Sequence, residues 1–167
     1  PLNGEEAEAA FALGAMLKAV GGSDATSKAL MPRFPAPAGA KTGRVVPFSS
    51  ARKWSGAEVD GCTVVLGAPQ FALPDADEAF KQKVASCAAG ALRVLVLPKS
   101  KTPLPEDRLP EGLTPLALVL ISDEIRPEAP DTLKFFEKEG VEIKVISGDD
   151  AVTVSAIAQR VGVKNAE

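Results

Sequence analysis

Histidine is absent from the 167-residue sequence. That single absence removes a Ser-His nucleophile pair, a histidine zinc site and imidazole base chemistry together. Any catalysis must then rest on Asp, Glu, Lys, Arg and hydroxyl groups. Cysteine occurs only as Cys62 and Cys87, far apart and without metal-ligand spacing. The expectation is two buried thiols in a cytosolic protein. Basic charge is not in excess: 19 Lys and Arg stand against 22 Asp and Glu, for a net charge of −3. With no basic stripe interleaved with aromatics, nucleic acid is not an expected partner. No apolar run approaches the roughly 20 residues that span a bilayer, and no signal-peptide pattern occurs. The sequence also lacks an initiator Met and opens on Pro1-Leu2-Asn3, as expected of an excised fragment.

What remains is 46% apolar and 25% charged, the balance of a soluble globular chain of one domain, or one and a piece. No internal repeat is evident. Residues 5 to 20 read as a helix, with Ala9, Leu13, Met16, Leu17 and Val20 on one stripe. Gly21-Gly22 ends it, and Ser23 or Asp24 is placed to cap a short second helix through Leu30. A Pro/Ala/Gly loop follows. Strands are expected at 44–48, 54–59 and 63–66, spaced closely enough for an antiparallel meander. Residues 75–89 read as a helix with Phe80, Val84, Cys87 and Ala88 inward, and "LRVLVL" (92–97) as another strand. The proline-rich, charged stretch 98–112 reads as a linker or exposed loop.

Beyond it the pattern changes. "LTPLALVLISD" is a continuous apolar run, as expected of a strand buried on both faces. Residues 127–139 read as a helix with Pro at its start, Gly140 beyond its end, and Ala129, Leu133 and Phe136 inward. "VEIKVIS" reads as a second buried strand, and Asp150 as the cap of a last helix bearing Val154, Ile157, Ala158 and Val161. Strand-helix-strand-helix implies parallel strands with a right-handed crossover. The chain is therefore expected to divide near residue 110: an antiparallel α/β unit (1–110) and a partial parallel Rossmann-like β-α-β-α piece (111–167). Open parallel sheets bind ligands at the carboxyl ends of their strands. Ser122-Asp123 and Ser147-Gly148-Asp149-Asp150 lie at that edge, where glycine permits close backbone approach and a helix start offers N–H groups to an anion. Strand ends carry Asp and Gly for turns as well.

Several stretches, in order along the chain, resemble the P-type cation-transporting ATPases. "VISGDDAVTVSAIAQRVGV" (145–163) resembles that family's Thr-Gly-Asp turn and following helix, and "SDEIRPEAPDTLKFFEKEG" the segment before it. "FSSARKWSG" (48–56) resembles the nucleotide-domain motif of an aromatic followed by Arg-Lys. "LGAPQ" (66–70), which contains Gly67, sits where the family has Lys-Gly-Ala-Pro-Glu; "LRVLVL" resembles a strand whose Arg reaches ATP phosphates. "SDATSKAL" (23–30) resembles a helix start of the nucleotide domain. The resemblance covers nearly the whole chain. It implies a bacterial pump that moves cations, with calcium or a related divalent ion favoured. It also implies ATP, with Mg2+ accompanying the nucleotide rather than held in a resident metal site.

Residue roles follow from the same resemblance. Phe48 is expected to stack on adenine, Lys53 and Arg52 to lie beside the base and phosphates, and Arg93 to meet phosphate oxygens; Gly67 and Asp24 belong to the same nucleotide site. Ser147 and Gly148 are expected to bind the transferring phosphoryl group, with Asp149 and Asp123 orienting that loop and the nucleotide–metal complex. Leu66 replaces the usual Lys, Gln70 the usual Glu, and Ser27 a second acid, so weak nucleotide binding is expected. The phosphorylated Asp-Lys-Thr-Gly-Thr segment does not occur; "AKTGR" (40–44) carries Ala40 where the Asp belongs and reads as a turn into the first strand. The Asp-Gly-Val-Asn-Asp segment is likewise absent. The fragment is thus expected to bind ATP without turning it over, on the cytoplasmic side of the membrane, with the rest of the phosphorylation domain and the actuator and transmembrane domains as partners. Two other readings remain: a soluble haloacid dehalogenase-type phosphatase, which would need an Asp-x-Asp motif not found upstream, and a non-catalytic interaction module.

Overall fold

The computed structural model describes residues 1–2, 6–22, 24–89, 92–122, 125–147 and 151–163. It is an α/β fold whose five strands form one antiparallel sheet in the sequential order β1-β2-β3-β4-β5. The strands are β1 (Thr42–Val46), β2 (Trp54–Val59), β3 (Cys62–Gly67), β4 (Leu92–Ser100) and β5 (Thr114–Ser122). The helices are α1 (Glu6–Val20), α2 (Ala25–Leu30), α3 (Pro69–Ala72), α4 (Glu78–Ala88), α5 (Ala129–Lys138) and α6 (Ala151–Val161).

Two compact units divide the chain. The first comprises Pro1–Ala76 and Leu95–Val119, and the second Asp77–Val94 and Leu120–Glu167. In the first, β2 and β3 form a tight hairpin around Asp60-Gly61, with φ of 47° and 76° at its two central residues. Positive φ at both positions matches the strands' twist, and an Asp-Gly pair adopts it readily. The Asp60 side chain also accepts the Lys41 N–H at 2.9 Å, fixing the entry to β1. One extra residue bulges out of β1: Thr42 opposes Val59, whereas Val45 opposes Ala57. The bulge frees the Arg44 N–H, and the Glu58 carboxylate takes it at 3.0 Å. β1 ends at Val46 rather than continuing to Phe48, because Pro47 has no N–H to donate to a ladder.

Helix α1 buries Ala9, Ala12, Leu13, Ala15, Met16 and Leu17. The expected inward stripe is met except at its end, where Val20 is half-buried. Glu8, at the helix start, pairs with Lys99 of β4 at 2.8 Å. β2 and β3 are almost wholly buried. Stretch 98–112, expected as a linker or exposed loop, is exposed at 101–103, 106–108 and 111–112 but is pinned to the sheet. β4 runs on to Ser100, the Thr63 hydroxyl donates to Thr102 O at 2.7 Å, and the Ser100 hydroxyl donates to Glu111 O at 2.6 Å. Leu104, only 1% exposed, lies against Gly56 of β2. Its apolar side chain anchors a stretch that its prolines and charges had made read as solvent-exposed.

The parallel β-α-β-α piece is not seen among the described residues. β5, expected as its first strand, is in the antiparallel sheet, where the Thr114 hydroxyl bonds Lys99 O of β4 at 3.2 Å. Residues 141–147, expected as its buried second strand, form no strand and are exposed apart from half-buried Ile143. A strand exists only with a neighbour, and these residues have no ladder partner among the described ones. In the second unit α4 is capped by Asp77, whose carboxylate accepts the Phe80 N–H at 2.7 Å. Phe80 and Ala88 are buried there, while Val84 and Cys87 are half-buried. The stripe expected on α5 is met only in part: Ala129 and Leu133 are half-buried, Phe136 is 41% exposed, and no residue of that helix is fully buried. Both thiols are free and half-buried rather than enclosed.

Candidate functional site

The seven residues 47–53 join β1 to β2 and carry three of the side chains singled out in the sequence. Two local bonds shape the turn. The Ser49 carbonyl accepts the Lys53 N–H at 2.7 Å, closing a single helical turn, and the Ser49 hydroxyl accepts the Ala51 N–H at 3.3 Å. Lys53 sits in the left-handed region with φ of 60°. That conformation is strained for a residue bearing a Cβ, so the surroundings must hold it. They do so at Ala68, whose N–H donates to the Lys53 carbonyl at 3.2 Å. Gly67 makes this approach possible. It lies opposite Trp54 in the β2–β3 ladder, and a Cβ there would stand 2.7 Å from Lys53 O.

Arg52 folds back over the turn. Its guanidinium donates to Pro47 O at 2.8 Å and lies 5.5 Å from the centroid of the buried Trp54 ring. Its Nε–H is buried without an acceptor among the described residues. Phe48, by contrast, is 44% exposed, and Lys53 is exposed too. The turn therefore offers solvent an aromatic face and an ammonium group, while half-buried Arg52 folds back on Pro47 and Trp54. Such a surface can stack on a flat ring and attract an anion.

The other candidates fall elsewhere. Asp24 caps α2: its carboxylate accepts the Ser27 N–H at 2.9 Å and the Ser27 hydroxyl at 2.6 Å. Burial pushes its pKa upward, but the Ser27 hydroxyl and the backbone N–H groups outweigh this and hold it below the usual value. Both oxygens of Asp24 are thus engaged in the cap. Leu66 is a buried strand residue, and Gln70 is exposed on α3. Arg93 is half-buried on β4 and belongs to the second unit, as does the exposed Ser147. Gly148, Asp149 and Asp123 lie outside the described residues. The structure thus brings Phe48, Arg52, Lys53 and Gly67 together at one corner of the first unit.

Two features escaped the sequence reading. Glu58 accepts Arg44 N–H and Leu104 N–H, each at 3.0 Å, and so ties β1 and the loop after β4 to β2. Those two bonds hold its carboxyl below the usual carboxylate range. The other feature is a cavity of about 360 Å³ at the far end of the β1–β3 strands, lined by Lys41, Glu58, Cys62 and Lys101 among others. None of the sequence-derived site residues lines it. Among the described residues, no group of three His, Cys, Asp or Glu side chains gathers as metal donors. No described helix is long and apolar enough to cross a membrane.

No protein-family model matches the chain. Individual relatives do. Over 160 residues, 95% of the chain, it is 38% identical to the calcium-transporting ATPase CtpE of Mycobacterium bovis. Over 122 residues, 70% of the chain, it is 40% identical to the probable cation-transporting ATPase exp7 of Streptococcus pneumoniae. A 98-residue stretch is 33% identical to the human plasma membrane calcium-transporting ATPase 1. The chain spans only 20% of the length of the first of these relatives and 15% of the second.

Proposed function

With homology placing the chain among the P-type cation-transporting ATPases, as a segment of a fifth or less of these relatives' length, we propose that it is the ATP-binding part of such a pump. The observation that carries this reading is the 47–53 turn. It exposes an aromatic ring at Phe48 and an ammonium group at Lys53 on a base held rigid by Gly67 and Trp54. Adenine stacks on the Phe48 face, and Lys53 lies beside the base and the phosphates. The family resemblance also assigns Arg93, Asp24 and Gly67 to nucleotide binding, Gly67 by shaping the turn, and Mg2+ arrives on the ATP. Residues 1–110 form the nucleotide-binding domain and 111–167 part of the phosphorylation domain. In the latter, Ser147 and Gly148 contact the phosphoryl group, and Asp149 and Asp123 orient it.

In the parent pump the γ-phosphoryl group of ATP passes to an aspartate carboxylate outside this chain, releasing ADP. Water then cleaves the acyl phosphate, and the cycle moves a cation across the membrane. Calcium is the favoured ion, supported by the names of the mycobacterial and human relatives. The segment faces the cytoplasm and works with the remaining phosphorylation, actuator and transmembrane domains. On its own it binds nucleotide without hydrolysing it.

Titration of ATP into the chain tests the reading, followed by NMR amide shifts. With Leu66 and Gln70 in the Ala-Pro motif, the expected dissociation constant is about 1 mM, or about −4 kcal/mol. Phe48→Ala should weaken ATP and adenosine alike by about tenfold, the worth of one stacked base. Lys53→Ala should weaken ATP more than adenosine. A chain that shows no shifts at several millimolar ATP, or whose shifts ignore both substitutions, has no nucleotide site at this turn.

A further inference from the structure

We propose that Arg52 is a positioning residue: it braces the 47–53 turn from beneath so that Phe48 and Lys53 stay presented, and it does not itself hold phosphate. The inference rests on the nucleotide reading above and assigns a division of labour within it. Arg52 is one of two adjacent cations, and sequence gives no reason to separate their roles. The structure does. The Arg52 guanidinium reaches back to the first residue of the turn, donating to Pro47 O at 2.8 Å, and its plane carbon lies 5.5 Å from the Trp54 ring centroid. These contacts span the turn from Pro47 to the first residue of β2. The Ser49 O to Lys53 N–H bond at 2.7 Å lies within the same span.

The brace answers a specific need. Lys53 has φ of 60°, a conformation that a residue with a Cβ keeps only when its neighbours impose it. The Ala68 N–H holds the Lys53 carbonyl from one side. Arg52, the residue immediately before it, fixes the other side through its cation–π contact with Trp54 and a charge-assisted bond to Pro47 O. The buried Nε–H, with no acceptor among the described residues, fits this account. Only arginine provides a flat cation that stacks and donates at once; lysine supplies charge without the plane.

The experiment compares Arg52→Ala and Arg52→Lys in the full 167-residue chain, titrated separately with adenosine and with ATP. Far-UV circular dichroism and thermal melting confirm that each variant remains folded. A brace acts on the whole turn, so both variants should lose affinity for adenosine and ATP by the same factor, about threefold to tenfold. Lysine should not rescue, and the Lys53 amide should exchange its hydrogen faster in both variants. A loss confined to ATP, rescued by Arg52→Lys, would make Arg52 a direct phosphate ligand and overturn the proposal. Unchanged affinity for both ligands would overturn it as well. If the unsubstituted chain binds neither ligand, the nucleotide reading fails along with the ligand-presenting half of this one. Lys53 amide exchange would still decide the brace, and exchange unaltered by both variants would sink that half too.

Discussion

Glu58 shows how far a single residue can act beyond its neighbours in sequence. Its two oxygens accept N–H groups from Arg44, 14 residues away, and Leu104, 46 residues away. Both bonds favour the charged form, so the folded-state pKa lies below the ordinary value of 4.5. A depressed carboxylate contributes stability that is present above that value and lost as pH falls through the folded one. Stability measured by urea denaturation should therefore decline as pH drops below 4.5. Glu58→Gln should flatten that decline and lower stability at neutral pH. Asp24, also depressed but from 3.8, adds a loss of the same sign at lower pH. Gly67 is equally constrained, by close packing. A methyl group there would stand 2.5 Å from Trp54 Cβ and 2.7 Å from Lys53 O, and the ladder backbone has little room to yield. Gly67→Ala should cost about 1–3 kcal/mol by urea denaturation and alter the emission of Trp54. At this scale legibility followed sequence distance. The Asp24 cap was readable because its partner is Ser27, three residues on, whereas nothing near Glu58 announces its partners.

At the scale of elements, the first unit was largely readable. Trp54–Val59 is a strand with the expected bounds, and the close spacing of β1, β2 and β3 does produce a meander. Local signals govern such pieces: an Asp-Gly turn, a proline that stops a ladder, a cap before a helix. In stretch 98–112 composition speaks for an exposed loop, as residues 101–103, 106–108 and 111–112 are, but says nothing of its anchoring to β2, far away in sequence. Leu104 is the decisive side chain: at 1% exposure it ties to the core a connection that is otherwise mostly exposed. Leu104→Ala should destabilise the chain by about 2–5 kcal/mol in chemical denaturation. The half-buried Leu109, in the same connection, should cost clearly less. Equal costs would mean the connection is not anchored at Leu104. The β5 error has a different origin. A continuous apolar run reports burial on both faces but not the direction of the neighbouring strand, and β4 supplied an antiparallel edge.

Across the whole chain, the two units differ in how their apolar surface is used. In the first, Leu13, Met16, Leu17, Val64, Val65, Val96, Leu97 and Leu104 are almost fully enclosed. In the second, α5 has no buried residue, Phe135 and Phe136 are 58% and 41% exposed, and Ile146 is 97% exposed. Burial of apolar area is the main term opposing chain entropy, so these segments gain far less from folding. Their local opening should be correspondingly easy. Native-state hydrogen exchange should show the amides of α5 exchanging much faster than those of β2 and β3, in a process whose denaturant dependence is smaller than that of global unfolding. Matching exchange rates and matching denaturant slopes would mean that the chain opens only as one unit. ATP supplies a further contrast. If it binds at the 47–53 turn, it should slow exchange in β1 and β2 and leave α5 untouched. Protection extending to α5 would instead mean that ATP acts on that helix, beyond the residues proposed to contact it.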